Sequence, residues 1–199
     1  MVIEETTVPN TALPVPALRA HLRLGTGFGE ETLQDAVLEG FLRAALAAIE
    51  ARTGKALIRR DFVISQDEWR DPGGERLPVA PVQEVTELAL LDAAGAVTVV
   101  APDQYRLRRD THAPRLCPQG GWLPNPPAGG SLRIRLSAGM AETWDDLPAD
   151  LGQAVLLLAA HYYEYRDETA LGDGCMPFGV TSLIQRYRGL RIGFAGGAR

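Results

Sequence analysis

The strongest constraint on the fold is a long amphipathic helix, predicted over Glu31 to Arg52. Apolar residues recur on one side of it at helical spacing, while acidic residues follow the opposite side. Glu39 and Arg43 are spaced to pair across one turn. The predicted apolar face consists of Leu33, Val37, Phe41, Leu42, Leu46 and Ile49. We therefore expect a helical core that contains this helix.

The end of this helix carries the sequence TGK (Thr53 to Lys55), which is part of a phosphate-binding motif. A phosphate-binding loop also needs Ser or Thr after the lysine and a glycine five positions upstream, and it opens a helix. Here Ala56 follows, Ile49 occupies the upstream position, and the segment closes a helix. Gly54 is instead predicted to be a left-handed C-terminal glycine, with Lys55 close to the last carbonyls. Nucleotide binding is not predicted.

The periodicity changes from helical to alternating between residues 56 and 137. A hairpin is predicted around Asp92 to Gly95, and the stretch SLRIRLSAG that begins at Ser131 alternates apolar residues with Arg133 and Arg135. We predict an α+β fold in a single domain, 1–199, with a mainly antiparallel β region, 56–137, inserted between helices. Its helical core has a long N-terminal helix, a central apolar helix and a short C-terminal helix.

The central helix begins near Pro148 and is apolar nearly all round from Ala154 to Ala160. Such a helix has to be buried on most sides, which in a chain of 199 residues indicates a central position or a position shared with a neighbouring subunit. The residues predicted to form a subunit interface are Leu156, Leu157, Tyr162 and Tyr163.

The C-terminal segment, 178–199, contains four arginines and no acidic residue. Apolar and aromatic side chains alternate with these arginines, a composition typical of protein interfaces. The alternative is a frayed basic tail. An acidic protein is the preferred partner and DNA, contacted also by Arg133 and Arg135, is the second. The residues predicted to bind the partner are Phe178, Leu183, Ile184, Arg186, Tyr187, Arg188, Leu190, Arg191, Ile192 and Phe194.

Catalytic and metal-binding patterns are weak in this sequence. His161 and Glu164 have the spacing of helical metal ligands, but a histidine packed beside tyrosines is the favoured interpretation. Cys175 could act as a nucleophile with His112 or His161, yet no motif supplies its base. We predict that the protein is not an enzyme and binds neither a cofactor nor a metal.

The overall composition indicates an ordinary globular protein with a net charge of −5, which does not favour nucleic acid or anionic membranes. The N-terminus lacks the pattern of a signal peptide, and the longest apolar run is too short to span a bilayer. Cys117 and Cys175 are expected to be free thiols, with a disulfide between them as the alternative.

The order of short motifs along the chain resembles the head–tail connector, or adaptor, proteins of tailed phages and gene transfer agents (the gp6-like family). The matching segments cover nearly the whole chain and occur in the expected order. They are PVPALRAHLRL, EETLQDAVLEGFLRAALAAIEARTGKAL, LPVAPVQEV, LDAAGAV, YRL, WLP, IRLSAG, DLPADLGQAVLLLAAHYYEYRDE and MPFGVTSLIQRYR.

The resemblance implies a structural protein of the particle neck. Such proteins assemble as a ring of twelve copies beneath the portal, extend the DNA channel, and carry the stopper or tail-terminator proteins. It also implies that segment 178–199 docks on the portal protein. A negative net charge suits a channel wall along which double-stranded DNA slides, because few phosphate contacts give weak binding.

Overall fold

The computed structural model describes residues 1–24, 31–166 and 176–188. Its helices are α1 (Val15–His21), α2 (Glu31–Thr53), α3 (Ala149–Glu164) and α4 (Phe178–Ile184). Its strands are β1 (Val2–Glu4), β2 (Arg60–Gln66), β3 (Glu75–Arg76), β4 (Val82–Leu91), β5 (Val97–Val99), β6 (Tyr105–Arg108), β7 (Arg115–Pro118) and β8 (Ser131–Ala138). This arrangement confirms the predicted α+β fold.

The strands form two antiparallel sheets. The larger has five strands in the order β1-β2-β8-β4-β5, and the smaller has three in the order β3-β7-β6. The predicted hairpin joins β4 to β5, where the Asp92 side chain accepts hydrogen bonds from the backbone N–H groups of Ala94 and Ala96. Strand β1 was not predicted, because three residues are too few to show a periodicity.

The helices enclose one of two separate hydrophobic cores, and α3 packs against α1, α2 and α4. The apolar face predicted for α2 is wrong at Val37. This side chain is 49% exposed, whereas the next residue, Leu38, is fully buried. The buried positions are spaced four, three and four residues apart, and this spacing keeps them on one face of the helix. They are Leu38, Leu42, Ala45 and Ile49. The side chains of residues 31–33 lie outside the part of the chain that the structure describes.

The TGK segment ends α2, as predicted, with Gly54 in the left-handed region at φ 67°. The Thr53 hydroxyl donates to the Ile49 carbonyl at 2.8 Å. Lys55, the residue after Gly54, is buried and forms a β-bridge with Ala80. Burial lowers the pKa of its ammonium, and the charge of Asp110 partly opposes that shift.

A buried ion pair joins the helical core to the larger sheet. Glu50, in the last turns of α2, accepts hydrogen bonds from both terminal nitrogens of Arg60 at the start of β2, at 2.9 and 2.7 Å. Glu50 also accepts from the Leu57 N–H at 2.7 Å, and Arg60 donates through Nε to Glu4 of β1. Burial alone lowers the pKa of Arg60, but its bonds and charge contacts with Glu50 and Glu4 outweigh this and raise it. One arginine therefore holds α2, β1 and β2 together.

Replacing Glu50 by Gln leaves a buried arginine with one carboxylate fewer, so we expect the free energy of unfolding to fall by about 3 kcal/mol in chemical denaturation. The double variant E50Q/R60M, in which no buried charge is left alone, should recover part of that loss. The exposed pair of Arg59 and Glu142 provides the control, since E142Q should change stability by less than about 1 kcal/mol. Equal losses for E50Q and E142Q would contradict this account.

Candidate assembly surfaces

Helix α4 holds the start of the C-terminal segment on the helical core. Val180 and Ile184 are buried among the residues of that core, and Leu183 packs against it. Residues 185–187 continue as one turn of 3₁₀ helix, which buries Tyr187. Ile184 and Tyr187, both predicted to bind a partner, are therefore buried within their own chain, because α3 provides the apolar surface that covers them.

A polar contact reinforces this packing. The Tyr187 hydroxyl donates a 2.8 Å hydrogen bond to Asp150 in the first turn of α3. Arg186 forms an ion pair with the same carboxylate at 2.8 Å and donates to the Tyr187 hydroxyl. Burial, followed by the bond to Asp150, raises the pKa of Tyr187. These side chains fix residues 178–188 to the body of the protein.

Only some of the predicted partner-binding residues face solvent. Phe178, the first residue of α4, is 87% exposed, and Arg186 and Arg188 are exposed as well. Burial of the Phe178 ring against a partner would remove its apolar surface from water. Leu190, Arg191, Ile192 and Phe194 lie outside the described residues.

The four residues predicted for a subunit interface lie on α3 and are half-buried against the helical core. Tyr163 packs edge-on against Phe41 with 6.0 Å between ring centroids, and the Arg166 guanidinium lies 4.8 Å from the Tyr163 ring centroid. Burial raises the pKa of Tyr162. Leu156 and Leu157 retain some exposure. The chain's own helices thus cover most of α3, and an interface through these residues stays a prediction.

The arginines on β8 are engaged within the sheet. Arg133 pairs with Glu87 of β4 at 3.1 Å, and Arg135 contacts the carboxylates of both Glu87 and Glu5. Because each guanidinium already faces a carboxylate, this sheet face does not present a free basic strip to a phosphate backbone.

His161 and Glu164 border a cavity between the ends of α3 and α4, and His21 also lines it. Among the residues that the structure describes, no group of three or more His, Cys, Asp or Glu side chains is placed to hold a metal ion. The His161 ring lies 4.6 Å from the Tyr165 ring, and its Nε2 is buried without a hydrogen-bond partner in the described part of the chain.

Cys117 is a free thiol, and Cys175 lies outside the described residues. No described helix is long and apolar enough to cross a membrane.

Three other exposed apolar sites were not predicted. The Trp122 ring lies on the loop between β7 and β8, where it would meet any side chain added at Gly73. Strands β1 and β5, at opposite ends of the larger sheet, are exposed along their whole length. The periodicity of the sequence does not indicate such sites, since the exposure of a three-residue edge strand depends on the order of strands in the sheet.

Replacing Tyr187 by Phe keeps the buried ring and removes only its hydroxyl. We expect the free energy of unfolding to fall by about 1 kcal/mol and amide hydrogen exchange over residues 178–188 to accelerate. Tyr165→Phe, at a 42% exposed tyrosine, is the matched control and should leave both quantities unchanged. If exchange in Y187F stays at the rate of the parent chain, the packing of Val180 and Ile184 alone holds α4.

Solved structures are similar to this chain over nearly its full length, among them three chains of gene transfer agent particles. No family model and no curated protein matches this chain. A chain in the neck of an empty gene transfer agent particle, computed with six-fold symmetry, is 51% identical with a TM-score of 0.88. One in the virion of a native gene transfer agent particle is 50% identical with a TM-score of 0.85. One in the neck of a native particle, computed with twelve-fold symmetry, is 47% identical with a TM-score of 0.84.

Each match covers 99% of this chain and 98% of the other. Identity near one half, sustained over both whole chains, leaves no part of the fold unaccounted for. It also distinguishes between the two kinds of particle that the sequence motifs left open. The chain therefore belongs to the head–tail connector family, as a neck protein of the gene transfer agent type.

Proposed function

We propose that this chain is the adaptor of a gene transfer agent neck. Twelve copies form a ring beneath the portal, extend the DNA channel, and carry the stopper or tail-terminator proteins. The observation that carries the proposal is the 47–51% identity to neck chains over 98–99% of both sequences. Within that family the chain is a structural protein of the particle neck.

A ring is supported by the cyclic symmetry, six-fold and twelve-fold, with which the related necks were computed. Cyclic rings place one surface of each copy against a different surface of the next. Within the described residues, the larger sheet has unpaired edges at its two opposite ends, and Leu156 and Leu157 on α3 are partly exposed. These surfaces are apolar enough to gain free energy from burial between copies.

Docking on the portal is assigned to segment 178–199. Val180, Ile184 and Tyr187 anchor its first part on the helical core, so Phe178 and Arg188 are presented from a fixed base. A preorganised aromatic anchor loses little conformational entropy on binding. We therefore divide the predicted residues into two groups: Ile184 and Tyr187 position the segment, and Phe178 and Arg188 meet the partner.

The alternative, a module that holds DNA through its arginines, is less well supported. Arg133, Arg135 and Arg186 each face a carboxylate of the same chain. The chain as a whole carries five more acidic than basic residues. A ring with these properties makes few phosphate contacts, which suits passing contact with double-stranded DNA rather than tight binding.

A chain that ends at Arg188 tests the docking role without removing the buried residues of α4. We expect this shortened chain to keep the thermal stability of the full chain and to bind the isolated portal at least about tenfold more weakly, as measured by biolayer interferometry. The full-length variant F178A should also bind the portal more weakly, because it loses an exposed aromatic anchor.

The matched control is W122A, which removes an equally prominent exposed aromatic residue far from α4 in sequence. It should bind the portal with the affinity of the parent chain. If the chain ending at Arg188 and F178A both bind like the parent, segment 178–199 does not dock on the portal. If the parent itself does not bind, the adaptor role is wrong.

A further inference from the structure

The larger sheet ends in two short strands, β1 on one side and β5 on the other. No further strand pairs with either of them within residues 1–24, 31–166 and 176–188. Every residue of both strands is exposed. Free strand edges template pairing with other chains, and isolated proteins usually guard them with charge, proline, a covering element or short strand length. The sequence of β5, Val-Thr-Val, carries neither charge nor proline, so its short length is the one protection that its own residues provide.

The exposed side chains at the two edges are apolar and lie on the same face of the sheet. Strand register places Ile3 and Val99 on the face that also carries the two β8 arginines. Met1 and Val97, two residues away in each strand, share that face because side chains alternate along a strand. Their exposures are 75% for Met1, 45% for Ile3, 47% for Val97 and 60% for Val99.

The unpaired backbone groups of β5 belong to Val97 and Val99. The neighbouring residues are bonded inward to β4: the Ala96 carbonyl accepts at 3.0 Å, and the Val100 N–H donates at 2.8 Å. Since successive residues of an antiparallel ladder alternate between the two sides, Val97 and Val99 direct their N–H and C=O groups to the free edge.

The same alternation fixes the free groups of β1. The Met1 carbonyl accepts a hydrogen bond from the Ser65 N–H of β2 at 2.9 Å. The Glu5 N–H donates to the Asp61 carbonyl of β2, also at 2.9 Å. Val2 and Glu4 therefore direct their N–H and C=O groups away from the sheet. Each edge thus offers two residues with unpaired donors and acceptors.

We infer that β5 of one copy pairs with β1 of the next copy in the ring, as parallel strands with Val99 opposite Ile3 and Val97 opposite Met1. The inference rests on the proposed ring. Each neighbouring pair in the sheet is antiparallel, so β1 and β5 run in the same direction, and head-to-tail repetition joins them in parallel.

This register satisfies backbone and side chains together. The Val99 N–H of one copy donates to the Val2 carbonyl of the next copy. In return, the Glu4 N–H of that next copy donates to the Val99 carbonyl. The Val2 N–H of the next copy donates to the Val97 carbonyl. On the shared face, Val99 then packs on Ile3 and Val97 on Met1, which removes the most exposed apolar side chains of both edges from water.

A second copy is the occupant because the two edges are different surfaces of one chain, as a cyclic ring requires. The related necks have this kind of symmetry. Both edge strands contain only three residues, so their pairing does not require the two twisted sheets to be coplanar.

Cysteine cross-linking on the assembled ring tests the inference. The parent carries C117S and C175S, and it must assemble on the portal as the natural chain does. Adding V99C and I3C together places two thiols at opposite ends of one sheet, too far apart for an intramolecular disulfide but within range across the proposed contact. Mild oxidation should give a ladder of covalent multimers that extends to the ring.

The matched control is the pair T98C and I3C, in which the two side chains lie on opposite faces of the joined sheet. We expect about tenfold less covalent dimer from it than from V99C/I3C. Rings that form without cross-links in V99C/I3C would overturn the inference and leave the adaptor role intact. Equal cross-linking by both pairs would also overturn it. A parent that forms no ring would refute the adaptor role, and this inference with it.

Discussion

The buried contact between Arg60 and Glu50 is the interaction on which the arrangement of the molecule depends. It links the end of α2 to the start of β2, and Arg60 reaches β1 through Glu4. The two hydrophobic cores are distinct, and backbone hydrogen bonds from Met140 and Ala141 to Ala56 and Leu57 also join the segments between them. A buried charge pair stabilises little in net terms, but its two-pronged geometry favours one orientation of the sheet relative to the helices. That orientation decides which surfaces of the chain can meet a neighbour.

The described surfaces suit an assembly protein better than a catalyst or a DNA clamp. The two arginines on β8 and Arg186 after α4 are neutralised by carboxylates of the same chain. Most of the large apolar residues that the structure shows to be exposed instead lie at the sheet edges, at Trp122 and at Phe178, and Val37 and Tyr165 are exposed as well. Contacts with several neighbours need several separate surfaces, and this distribution provides them in one small chain.

Much of this architecture was predictable from local sequence. The helix that ends at Gly54, the alternation of β8 and the turn at Asp92 depend on short-range rules of periodicity and backbone conformation. The phase of α2 at Val37 and the burial of Tyr187 depend on which element packs opposite, which local sequence does not encode. The same holds for β1, which exists as a strand only because β2 lies beside it. Family membership was recognisable from the order of weak motifs, since such order survives where single motifs vary.

The most direct measurement of the central claim is the native mass of the chain, alone and mixed with its portal. The account predicts a complex in which about twelve copies join one portal, because cyclic symmetry of the two rings lets every copy make the same contacts. A complex with one or a few copies per portal would contradict a ring. Absence of any complex would refute the adaptor role itself.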